Sequence, residues 1–145
     1  MSELKGKKLN MSQIFMSDGK VIPVTIVELE SAETLQNADN FLNKRVVVTG
    51  KSKGKGWAGV IKKWGFAKQG ETRGAEHKVR SAGAIGAQTP GRVFKGKKMA
   101  GRMGNQRVTV KGLRIVNVNQ DLKQVMVSGP IPGARNSKIT LKVEE

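Results

Sequence analysis

The chain has 145 residues, with 27 Lys and Arg against 11 Asp and Glu, 18 Gly, a lone His and neither Cys nor Tyr, for a formal net charge of +16. Without cysteine there is no disulfide scaffold, thiolate zinc site, iron-sulfur cluster or cysteine nucleophile, and His77 alone supports little imidazole chemistry. The length fits one domain with or without an appendage, no apolar run approaches a membrane span and MSELKGKKLN lacks a signal-peptide core, so the expectation is a soluble intracellular protein whose partner is a polyanion.

In chain order, Asp18-Gly19 predicts a two-residue hairpin turn between SQIF at 12–15 and the β-branched run KVIPVTIVELE at 20–30. A helical turn or two is expected within Ser31 to Leu42, where Ser31 and Thr34 stand near acidic neighbours. RVVVT at 45–49 predicts another strand. VTVKGLRIVNV at 108–118, LKQVMVSG at 122–129 and KITLKV at 138–143 predict three more, the last two separated by Gly129, Pro130, Pro132 and Gly133. The predicted fold is all-β: a small antiparallel β-barrel from 1–49 and 108–145, with a long basic, glycine-rich extension, 50–107, inserted between its strands. Such a body has only enough residues for a small core.

Charge is not spread evenly. Residues 1–50 are neutral, 51–107 carry 15 basic and two acidic side chains for a net +13, and 108–145 carry +3. The middle segment also holds 12 of the 18 glycines and Trp57, Trp64, Phe66 and Phe94. So little apolar surface does not offset the entropy of ordering, and the charges repel one another, so the segment is expected to be largely disordered on its own.

Gly54, Gly56 and Gly59 spell Gly-x-Gly-x-x-Gly after a strand, but no βαβ unit follows, so a dinucleotide site is not indicated. GRVFKGKK at 91–98 misses the phosphate-loop pattern because Lys98 stands where a hydroxyl is needed. Glycines between cations have another use: bare backbone amides approach phosphates closely while neighbouring side chains neutralise them. The residues assigned to this are Lys51, Lys53, Lys55, Lys62, Lys63, Lys68, Arg73, Lys78, Arg80, Arg92, Lys95, Lys97, Lys98, Arg102 and Arg107, with Arg73, Arg92 and Arg102 best suited to shape-specific contacts through their planar forks. Trp57, Trp64 and Phe66 either stack on unpaired bases or pack the segment's own small fold. His77, between Glu76 and Lys78, suits a phosphate or base contact, and no partners suggest a metal. Met99 and Met103 read as packing, and Glu71 and Glu76 as acids that moderate local repulsion.

The stretches VTGKSKGKGWAGVIKKWGF at 48–66 and AIGAQTPGRVFKGKKMAGRMGNQRVTVKGLRIVNV at 84–118 closely resemble the ribosomal protein L3 family of the large subunit, in its bacterial form. The opening LKGKKLNMSQIFMSDGKVIPVTIVE and the ending SGPIPGARNSKITLK are similar to it as well. The resemblance implies a structural constituent of the large subunit, not an enzyme, with a surface β-barrel and a basic arm reaching toward the peptidyl transferase region, and a part in early assembly. It implies large-subunit rRNA and neighbouring large-subunit ribosomal proteins as partners, a cytoplasmic ribosomal location, and no cofactor, metal, membrane or small-molecule substrate. Asn105 joins the implied rRNA-binding set, as does Gln88, which resembles a glutamine that some bacterial members methylate. The chain between Ser31 and Lys44 is much shorter than in bacterial members, which implies lost strands and surface loops. Val47 stands where an acidic residue is usual and Lys63 where an arginine is, and Ala82-Gly83-Ala84-Ile85-Gly86 replaces the family's Pro-Gly-Ser-Ile-Gly. The charge alone also fits a DNA-compacting protein, and the glycine pattern a nucleotide-binding enzyme.

Overall fold

The computed structural model describes residues 2–30 and 41–144. The chain divides into two compact units, 1–53 with 105–145, and 54–104. Ser31 to Asn40, and with them most of the expected helical turn, lie outside the described residues.

Six strands build the first unit: β1 (Ser2–Phe15), β2 (Val21–Leu29), β3 (Arg45–Lys51), β6 (Arg107–Asn119), β7 (Gln124–Ser128) and β8 (Lys138–Val143). Every neighbouring pair is antiparallel, and the order β1-β2-β7-β6-β3-β8 returns on itself as a closed ring. Alternation explains why. Val46, Val48, Ile139, Leu141 and Val143 point inward and are buried, while Arg45, Lys51, Lys138 and Lys142 between them are exposed. The buried interior is aliphatic, with Leu4, Val27, Leu29, Ile115, Val125, Val127 and Ile131 completing it and Phe41, Leu113 and Val118 packed against it. Thr25, the one buried polar side chain among the described residues, donates its hydroxyl to the Gly129 carbonyl at 2.7 Å.

Closing six strands demands sharp bending, and three register shifts provide it, between Lys8 and Met11, Val46 and Val48, and Ile115 and Asn117. At the second of these β6 carries Gly112 at φ 78, a left-handed conformation that β-branched residues avoid. The hairpin between β1 and β2 differs from expectation. Phe15 pairs with Val21 and the Met16 amide donates to the Lys20 carbonyl, so the loop is Ser17-Asp18-Gly19, three residues with Gly19 at φ 76, and not a two-residue turn. Strand β1 also runs far beyond SQIF, back to Ser2, because Leu4 and Gly6 face inward while Lys5 and Lys7 face solvent.

Leu141 is fully buried in this ring. Leu141→Ala should lower unfolding free energy by about 2 to 5 kcal/mol in urea denaturation; a change within about 0.5 kcal/mol would mean the ring is not the stability-bearing core.

Candidate nucleic-acid interface

The unit 54–104 has little repetitive structure. A two-residue ladder pairs β4 (Trp57–Ala58) with β5 (Gly101–Arg102), extended by bonds from the Lys55 amide to the Met103 carbonyl and from the Met103 amide to the Gly56 carbonyl. One turn of helix, α1 (Val60–Trp64), follows, and its end is fixed by Gly65 at φ 71, ψ 28, whose amide donates to the Ile61 carbonyl. Lys62 and Lys63 occupy the last turn, beside the unpaired carbonyls that favour cations. Ala58 and Val60 are buried, and most of the remaining side chains in the unit are exposed.

Around Trp64 this unit brings together residues distant in sequence. The indole N–H donates to the Met99 carbonyl at 2.8 Å, and the ammonium groups of Lys63 and Lys98 lie 5.2 and 5.8 Å from the ring centroid. Two cations over one aromatic ring cluster positive charge with only the ring quadrupole to moderate it. Trp57, opposite Arg102 in the ladder, is 78% exposed and presents its indole to solvent; Phe94 is exposed too. Phe66 is half-buried. Among aromatic residues of the segment, Trp57 thus has the freest face for a base to stack on.

The other assigned residues are spread along exposed chain. Lys55, Arg73 at φ 58, His77 and Lys78 in a 3-10 turn (Glu76–Lys78), Arg80, Gln88, Arg92, Lys95 and Lys97 are all exposed. Lys68 forms an ion pair with Glu71, and among the described residues no other pair is found within 54–104. Lys51, Lys53, Asn105 and Arg107 belong to the ring unit: Lys51 faces Arg107 across β3 and β6, and the Asn105 amide donates to the Ser52 carbonyl at 3.2 Å. Near them Lys8 donates to the Ile131 and Gly133 carbonyls at 2.9 and 3.3 Å; burial, and secondarily the Lys53 charge, lowers its ammonium below the usual lysine range. Lys5, Lys7 and Lys138, outside the basic stretch, also stand exposed on the ring. Counting charge by segment hides Lys5 and Lys7, because the six acids of 1–50 cancel its six bases, and leaves Lys138 within the modest +3 of 108–145.

An all-β ring joined to a glycine-rich polycation defines a basic protein with a large cationic surface. The family model described as Ribosomal protein L3 matches residues 1–129. The chain is 35% identical to the large ribosomal subunit protein uL3 of Pasteurella multocida and 36% identical to that of Haemophilus ducreyi, each match covering 98% of both chains. The first match runs over 204 positions against 145 residues here, so those relatives carry segments that this chain lacks. The chain belongs to the ribosomal protein L3 family, whose members are structural components and not enzymes.

The Trp64 to Met99 bond ties positions 35 residues apart. Trp64→Phe should therefore speed tryptic cleavage between Lys95 and Arg102 a few-fold, the equivalent of about 1 kcal/mol, and leave the ring strands intact; equal cleavage rates would show that the bond does not hold this unit.

Proposed function

We propose that this chain is a structural protein of the large ribosomal subunit that binds large-subunit rRNA, with 1–49 and 108–145 as a small β-barrel body and 50–107 as its basic, rRNA-binding extension. The observation that carries the proposal is that 54–104 holds twelve Lys and Arg, of which Lys68 alone has an acidic partner among the described residues. Such charge awaits an external polyanion. Folded RNA supplies phosphates at high density, and each contact releases condensed counterions. Glycines spaced along the segment let its backbone approach phosphates, while Trp57 offers an indole face to an unpaired base and Arg73, Arg92 and Arg102 offer planar forks.

Family membership supports the ribosomal setting, and with it neighbouring large-subunit proteins as partners and the cytoplasm as location. Ordering glycine-rich chain costs about 1 to 2 kcal/mol per residue, so the extension completes its fold where many RNA groups meet it at once. Protein and RNA folding are thereby coupled, which suits early assembly. Reach toward the peptidyl transferase region and methylation of Gln88 belong to the same reading; Gln88 is exposed and so accessible to a modifying enzyme.

A salt titration of binding to a large-subunit rRNA transcript tests this. With about ten phosphate contacts, affinity should fall by roughly three to five decades between 50 and 200 mM salt, and replacing 54–104 by a tight turn should remove most of the affinity. A flat salt response, or equal affinity for duplex DNA at physiological salt, would contradict the reading.

A further inference from the structure

Four cations line up across the outer face of the ring. Lys7 on β1 faces Lys138 on β8, and Lys51 on β3 faces Arg107 on β6. Lys138 and Lys51 stand one step beyond the paired Ile139 and Gly50, so the row crosses four adjacent strands without a break. Like charges directly opposed across a ladder destabilise it. Here two such pairs are consecutive and all four side chains are exposed; Lys7 also faces Glu28 on β2, yet among the described residues none of the four has an acidic partner within ion-pair distance.

Beside this row runs a second, of hydroxyls. Lys5 faces Thr140, Thr140 faces Thr49 and Thr49 faces Thr109, with the Thr49 and Thr109 hydroxyls 3.0 Å apart. Beyond it Glu3 faces Lys142 and pairs with it at 3.7 Å, so that border is neutralised. A cleft of about 640 Å³ opens over the two rows, bordered by Lys5, Lys51, Arg107 and Lys138 as well as by Thr49 and Thr140; Glu30 and the paired Glu3 and Lys142 border it too, and among the described residues no aromatic side chain does.

We infer that Lys7 and Lys138 carry RNA-backbone binding from the foot of the extension, where Lys51 and Arg107 stand, across this face of the ring, an inference that rests on the reading that RNA is the partner. Strands lie about 4.8 Å apart, so the cation row spans roughly 14 Å. One small anion meets only part of that length. A phosphodiester chain laid across the strands meets each cation in turn and receives hydrogen bonds from the threonine hydroxyls. With no aromatic side chain among the described residues of the cleft to stack on bases, the site engages RNA chiefly through its backbone.

The test uses the full chain and a large-subunit rRNA transcript. Lys7→Gln with Lys138→Gln should keep or raise the urea midpoint, because repulsion is relieved, yet weaken binding several-fold and reduce the slope of log affinity against log salt by about 1.5. Lys20→Gln with Lys123→Gln, two exposed lysines away from the row, should leave the slope unchanged, and Lys7→Arg with Lys138→Arg should restore it. A slope for the glutamine variant equal to that of the Lys20 and Lys123 control overturns the site but not RNA binding by the protein. A flat response from the unaltered chain overturns RNA binding itself. An RNA slope unchanged in the glutamine variant together with a several-fold loss of its affinity for polyglutamate overturns RNA as the occupant in favour of an acidic protein segment.

Discussion

Uncompensated positive charge is the constraint on which the rest depends. A formal +16 on 145 residues opposes compaction, and the molecule answers it by segregation. Cations are kept out of the aliphatic interior, directed outward from the strands or gathered in a stretch that has little apolar surface. What remains is positive surface whose free energy falls when phosphate arrives. In the proposed function, the same arithmetic that makes 54–104 costly to order alone makes it favourable to order on RNA.

The ring supplies what the polycation lacks. Its interior of valine, leucine and isoleucine needs no aromatic side chain to fill it, because six tightly bent strands enclose only a narrow space. Lys8 shows how one cation serves the fold: its ammonium is held by two carbonyls of the connection between β7 and β8, while its own backbone bonds Asn136 and Ser137 of the same connection. That connection also delivers Ile131 to the core. Elsewhere on the ring, alternation turns an unremarkable scatter of lysines into ordered rows on one face.

Strands with β-branched runs were legible in the sequence, since RVVVT, VTVKGLRIVNV and KITLKV each fall within an observed strand. The first strand was legible only at SQIF; its run back to Ser2 was not, because Gly6 occupies an inward position where an apolar side chain would have marked the alternation. The helical turn at Val60–Trp64 spans too few residues to carry a period, and the β4 and β5 ladder holds two residues a side. Positive charge in the middle segment needed only counting. The cross-strand row needed register: Lys7 and Lys138 lie at opposite ends of the chain, and nothing in their local sequence says that they face each other.

Lysine labelling with an amine-reactive reagent, read by mass spectrometry with and without a large-subunit rRNA transcript, tests the central claim most directly. Lysines of 54–104 without an acidic partner among the described residues, Lys55, Lys62, Lys95 and Lys97 included, should lose reactivity when RNA is added, while Lys20, beside Asp18, stays reactive. Equal protection of every exposed lysine, or none at all, would contradict it.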